Sequence, residues 1–144
     1  MKKLFFIGLA TLAVSSATLT SCGKYEEGPG LALSSKTARL TGSWKLTAQT
    51  TNGVAEDLTG LTQTMTITKD GKYSTVIAYS FMGFNYNNDY TGTWAFSDDK
   101  LNLITTIDGL TGSDSQEIVR LAGKELKLKS VDGTDVTIFT FTAQ

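Results

Sequence analysis

Two short stretches decide the fold: Leu40-Thr41-Gly42-Ser43-Trp44-Lys45-Leu46 and a near echo at Tyr90-Thr91-Gly92-Thr93-Trp94-Ala95-Phe96. In each, Gly and Trp stand two residues apart, so an extended backbone sets them on one face and polar residues on the other. In the first, Leu40, Gly42, Trp44, Leu46 and Ala48 share a face, against Thr41, Ser43, Lys45, Thr47 and Gln49. This predicts a strand over residues 40–49, ended by the turn pair Asn52-Gly53.

Outward from it, period-two alternation continues to the C-terminus, broken by Gly and Asp at short intervals, the mark of many short strands joined by hairpins. Val54 to Gly60 reads as an irregular loop or a short helix. A second strand over 61–69 turns inward Leu61, Met65 and Ile67, and Asp70-Gly71 supplies a hairpin turn. A third, 73–81, carries Tyr73, Thr75, Ile77, Tyr79 and Phe81 on one face. Met82 to Asp89 is less regular and unusually aromatic for a connection. The echo strand follows, with Tyr90, Gly92, Trp94 and Phe96 on one face. Strand five turns Leu101, Leu103, Thr105 and Ile107 to one side. Strand six, 115–121, faces inward through either Ile118 or the Val119–Leu121 pair. Strand seven, 124–130, buries Leu126 and Leu128. Strand eight, 135–142, leaves its facing open among Val136, Ile138, Phe139 and Phe141. No segment is long enough for a parallel crossover. The expected fold is all-β, a small antiparallel up-and-down barrel of eight strands, because closure leaves no exposed edge. A seven-stranded sandwich is the competitor, and the long crossing connections it needs are hard to find. Ser34 and Ser35 can cap one helical turn ahead of the first strand, at one end of the barrel.

Gly42-Ser43-Trp44 resembles the G-x-W signature of lipocalins. With Asp70-Gly71-Lys72-Tyr73, Gly92-Thr93-Trp94-Ala95-Phe96 and Leu126-x-Leu128, the chain from Leu40 to Gln144 resembles the lipocalin-like lipoproteins of Bacteroidota. The resemblance implies a small β-barrel in which Gly42, Trp44, Gly92 and Trp94 close one end. Lipocalins at large bind small apolar ligands. The later Arg pattern and the disulfide of many members are missing here, and the barrel segment is shorter.

The N-terminus reads as an address. Lys2-Lys3 precedes an apolar run from Leu4 to Val14, about eleven residues, too short to span a bilayer as a helix but suited to a signal peptide. Leu19-Thr20-Ser21-Cys22 resembles the lipobox of bacterial lipoproteins, in which the Cys is acylated after cleavage before it. The alternative is an ordinary cut after Ser15-Ser16-Ala17 that leaves Cys22 a free thiol. The expected division is a lipoprotein signal peptide at 1–21, the acylated Cys22 and a flexible tether at 22–33, and the barrel at 34–144. Gly23 to Gly30, rich in Gly and charge, is the tether. Its Lys and acidic residues resemble the signal that sends lipoproteins to the cell surface. The expected location is the outer membrane, held through Cys22, with surface display following from that second resemblance.

The chain has 144 residues, with 13 Lys and Arg, 14 Asp and Glu, no His and one Cys. Losing Lys2 and Lys3 with the signal takes the 13 basic residues to 11 against 14 acidic. Phosphate backbones reward clustered cations, so nucleic acid is not an expected partner. Without His, and with its Cys acylated, the chain can build neither a Ser–His nor a Cys–His pair, so no enzyme is expected. Glu56-Asp57 and Asp98-Asp99 read as solvated turn formers, and Asp108-Gly109 and Asp132-Gly133-Thr134-Asp135 fall short of a calcium loop's alternating ligands. No metal or cofactor is expected, and a monomer is. The inward aromatics Trp44, Tyr73, Tyr79, Tyr90, Trp94 and Phe96 fit first a packed core, since eight strands enclose just enough room for side chains. The other reading is an apolar cup opposite the Gly-Trp end, lined by Tyr79, Phe81 and Leu103, with Phe84 and Tyr86 on a flap and Thr75 and Thr105 as its polar groups. The flap's aromatics, flanked by Asn, either pack on the rim or form a contact surface for a protein or glycan.

Overall fold

The computed structural model describes residues 25–27 and 33–144. The signal segment and Cys22 lie outside them. One helical turn, α1 (Lys36–Leu40), is followed by β1 (Gly42–Thr51), β2 (Val54–Ala55), β3 (Leu61–Ile67), β4 (Lys72–Phe81), β5 (Phe84–Phe96), β6 (Asn102–Ile107), β7 (Asp114–Ala122), β8 (Glu125–Asp132) and β9 (Asp135–Ala143). Leaving β2 aside, neighbours pair antiparallel in chain order, and β1 also pairs with β9, from Trp44↔Ala143 to Thr51↔Thr137. That last pairing closes the barrel and removes its edges. The eight expected strands form the wall. The added one, β2, only folds back on the end of β1 through the Asn52-Gly53 turn, with Thr51 facing Val54. The barrel is therefore eight-stranded and up-and-down.

One end is filled. Leu40, Trp44, Ile67, Leu103, Ile118, Leu121, Leu126 and Leu128 are each at most 2% exposed and belong to one core cluster. α1 lies across this end. Ser35 caps it, its hydroxyl accepting from the Ala38 N–H, and the Arg39 guanidinium donates to the Leu121 carbonyl of β7. Both indoles of the repeated Gly-Trp strands donate to carbonyls of the closing pieces. Trp44 Nε1 reaches the Leu40 carbonyl at the end of α1, 2.8 Å away. Trp94 Nε1 reaches the Thr68 carbonyl in the β3–β4 turn, also at 2.8 Å. A helix's last carbonyls have no partner within the helix, so the Trp44 indole satisfies a group that the short α1 leaves open.

Strict alternation fails in two strands, each time through a bulge. The β1–β9 register shifts between Leu46 and Ala48. The expected inward position of Ala48 is exposed, and Gln49 faces the inward Phe139 in its place. An extra residue re-aims every side chain beyond it. In β7 the shift lies between Ile118 and Arg120, which answers the open facing there: Ile118 and Leu121 both join the core. Val119 is buried outside that cluster. In β9, Phe139 and Phe141 take the inner face, with Phe141 opposite Leu46. Met82 to Asp89, expected to be irregular, is instead mostly regular strand. The β5 residues from Phe84 to Asp89 pair with β4 as far as Phe81↔Phe84.

The segment expected to be a free tether is partly held. Tyr25 is 3% exposed and joins the core cluster, and the Lys36 ammonium sits 4.4 Å from its ring centroid. The Glu27 N–H donates to the Val119 carbonyl, its own carbonyl accepts from Arg120, and its carboxylate pairs with Lys127 at 2.6 Å. Burial pushes the Tyr25 phenol up to about 12, with the Arg39 charge opposing. The Gly-rich composition suggested freedom, and one aromatic among those residues outweighs it.

Candidate cavity inside the barrel

Opposite the filled end the interior opens into a cavity of about 340 Å³, inside the range of small-molecule sites. Met65, Leu128 and Phe141 form its floor, over the core to which all three belong. Tyr73, Ile77, Tyr90, Ile107 and Phe139 line its walls, and Leu110 of the β6–β7 loop stands at the mouth, 63% exposed. Gln63, Thr75, Thr105, Asp114 and Gln116 supply polar groups. Thr75 is the buried one. Its hydroxyl donates to the Thr64 carbonyl at 3.2 Å and accepts from the Gln63 amide at 3.5 Å. Burial raises the Tyr73 phenol above its ordinary value; a hydrogen bond with Thr75 opposes this and the nearby Asp114 charge adds to it.

Register explains which residues converge. On β4, Tyr73, Thr75 and Ile77 face inward and meet Gly92, Tyr90 and Asn88 of β5. On β6, Thr105 lies between Trp94 and Asp114. The Asp114, Gln116 and Ile118 series then runs from the mouth to the core. Gly92 permits the close approach at this wall. A Cβ there would sit 1.9 Å from the Thr106 carbonyl oxygen, so β6 can lie against β5 only where no side chain intervenes.

Of the seven residues expected to line a cup, Thr75 and Thr105 do so. Leu103 does not; it is 1% exposed, opposite Phe96 in the filled end. Tyr79, Phe81, Phe84 and Tyr86 stand beyond the reach of β6, although Tyr79 still pairs with Leu61 of β3. Only β5 residues from Gly92 onward pair with β6, whereas the β4–β5 hairpin continues to Phe81↔Phe84. It is a projecting arm, with Phe81 66%, Met82 82% and Phe84 67% exposed. Tyr79 and Tyr86 stack across it with centroids 4.7 Å apart. By register these aromatics lie on the face that continues the cavity wall, while Asn85 and Asn87 lie on the other. The arm's aromatics thus neither pack on the rim nor enclose the cavity.

Sequence reasoning missed Gln63, Asp114, Gln116 and Phe139 as lining residues. The signal was available for Gln63, which sits between Leu61 and Met65 on the inner face. For Asp114 and Gln116 it was hidden, because the bulge after Ile118 breaks the alternation that would have linked them to Leu121. Among the described residues no group of three His, Cys, Asp or Glu stands close enough to hold a metal ion. No described helix is long and apolar enough to cross a membrane, which says nothing of strands.

No curated protein matches the chain. A family model described as a lipocalin-like domain matches residues 40–128, from the end of α1 to the middle of β8. With the G-x-W strand at the filled end and a cavity at the other, the chain belongs to the lipocalin-like domain family.

Proposed function

We propose that this protein is a non-enzymatic carrier or sensor module, held on the outer membrane through acylated Cys22, that binds a small apolar or amphipathic ligand inside its barrel. The observation that carries the reading is the cavity: an apolar floor of Met65, Leu128 and Phe141 beneath walls bearing a few hydroxyls, amides and one carboxylate. Such sites use apolar surface for affinity and a small number of polar groups for orientation. A neutral apolar dye, N-phenyl-1-naphthylamine, is expected to brighten on binding with a micromolar Kd. Thr105→Trp puts an indole into the cavity and should weaken that binding at least tenfold while leaving the far-ultraviolet circular dichroism unchanged. Undiminished dye binding by a folded Thr105→Trp protein overturns the reading.

The support for anchoring is the resemblance of Leu19-Thr20-Ser21-Cys22 to a lipobox. Two residues lie between Cys22 and Tyr25, so three steps of chain, at most about 10 Å, join the anchor to the barrel wall. Acyl chains contribute about 0.8 kcal/mol per buried methylene. Cys22→Ala is expected to release the protein from the membrane fraction and to abolish the mass increment of acylation; retention of both properties refutes the anchor.

The projecting arm favours a second reading, in which the loops meet a protein or glycan. Its bare Phe81, Met82 and Phe84 form an apolar patch of the kind that marks contact surfaces. Under this reading the paired change Phe81→Ser with Phe84→Ser removes partner binding on a glycan array and leaves dye binding within about twofold.

A further inference from the structure

The charges of the barrel are sorted by end. Up-and-down topology sends the β1–β3, β4–β5, β6–β7 and β8–β9 connections to the cavity mouth and the other turns to the filled end. No Lys or Arg occurs from Ala48 to Thr68, Tyr73 to Asp99, Leu101 to Val119 or Ser130 to Gln144. After Lys45 the cations fall at Lys69 and Lys72, at Lys100, and between Arg120 and Lys129, at or near the filled-end turns and along β8. Lys127 and Lys129, the two furthest along β8, are paired with Glu27 and Glu117. The segments serving the mouth instead carry Glu56, Asp57, Asp89, Asp108, Asp132 and Asp135, with Asp114 in the cavity lining itself.

Among the described residues no Lys or Arg lines the cavity, so none of them sets a cation against Asp114 there. A cleft rimmed by charges of one sign raises the local concentration of the opposite sign. It repels its own sign: an anionic head would meet Asp114 at close range, with six further carboxylates on the segments that serve the mouth. Tyr73, Tyr90 and Phe139 present rings in the same space, and aromatic faces attract cations most strongly where water is excluded. The apolar floor lies on the core side and Asp114, which is exposed, at the mouth side. Tail and head positions are therefore distinct.

We propose that the cavity selects cationic amphiphiles, an apolar body bearing a protonated amine or quaternary ammonium, with the body on Met65, Leu128 and Phe141 and the head at Asp114 beside Tyr73 and Tyr90. The proposal rests on the cavity being a binding site and adds the charge of what enters it. Fatty acids, whose heads are anionic, are excluded.

The test titrates the protein by calorimetry with decylamine, decanol and decanoate, each below its critical micelle concentration, at low ionic strength. Decylamine should bind at least tenfold more tightly than decanoate and more tightly than decanol. The gap should shrink several-fold in about 0.5 M salt, where screening acts over roughly 4 Å. Asp114→Asn should shrink it likewise. Asp98→Asn, the same charge change in the filled-end β5–β6 turn, should not. Decanol or decanoate binding as tightly as decylamine overturns the charge selectivity and leaves the cavity reading standing. Equal loss in Asp98→Asn and Asp114→Asn also overturns it, because net charge rather than the mouth would then be responsible. Absence of binding by all three, together with loss of the dye signal, overturns both readings.

Discussion

Gly92→Ala is expected to destabilise the barrel by about 3 kcal/mol or more. The added methyl would lie 1.9 Å from the Thr106 carbonyl oxygen, 2.9 Å from its carbon and 3.0 Å from the Ile107 Cα. All three are backbone atoms of β6, so no side chain can swing aside. Relief requires β5 and β6 to separate, which disturbs Gly92↔Ile107 and Thr93↔Thr106 together. Overpacking a well-filled site costs about 1–3 kcal/mol and occasionally more, and a backbone obstacle belongs at or above the top of that range. Against a total stability of about 5–15 kcal/mol, a loss of about 3 kcal/mol moves the urea midpoint down by roughly 1–3 M. Gly42→Ala is the informative comparison. Nothing lies within 4 Å of a Cβ there, but its φ is +146°, a conformation L residues rarely adopt. Its loss should be smaller, about 1–3 kcal/mol for backbone strain alone. A Gly92→Ala midpoint equal to wild type would show that the two strands are not held in van der Waals contact at this point.

That comparison separates what the sequence carried from what it could not. The two Gly-Trp stretches look alike and share a face assignment, and the period-two pattern around them was enough to read eight strands and closure. The reason for each glycine was not legible, because one answers to its own dihedral angle and the other to the backbone of the neighbouring strand β6. The same limit explains the site. Thr75 and Thr105 lie in strands whose alternation is unbroken, so their inward aim was readable. Ala48, Asp114 and Gln116 lie beyond or before bulges that no local pattern announces, and there the reading slipped. Tyr79 and Phe81 were assigned the correct face. Their height was wrong, because the number of residues by which the β4–β5 hairpin outruns β6 is set by the pairing of Gly92 with Ile107. Tyr25 shows the converse. Composition described its neighbourhood as solvated linker, and one ring, docked beside Lys36, turned it into part of the core.

Trp44→Ala is expected to be the most damaging change of a single core side chain. The indole is 2% exposed and packs between α1 and the filled end, so truncation removes its burial and leaves a cavity that the closed wall cannot collapse to fill. Such changes cost about 3–5 kcal/mol. The Leu40 carbonyl, which accepts from Nε1 at 2.8 Å, would lose its partner in a buried place, adding about 1–3 kcal/mol. The sum approaches the whole stability of a domain of this size, so the variant should show an expanded state with weak near-ultraviolet dichroism at 25 °C. Trp44→Phe narrows the two contributions. It keeps one six-membered ring but removes the rest of the indole together with its donor, so a loss of about 1–3 kcal/mol sets an upper bound on the hydrogen bond to α1. A loss as large as that of Trp44→Ala would mean instead that the shape of the indole holds the end shut. Trp44 does not line the cavity. Folded Trp44→Phe protein should therefore bind dye and decylamine as the wild type does, and a change in either Kd beyond about twofold would show that the plug and the cavity are coupled through their shared neighbours Met65 and Phe141.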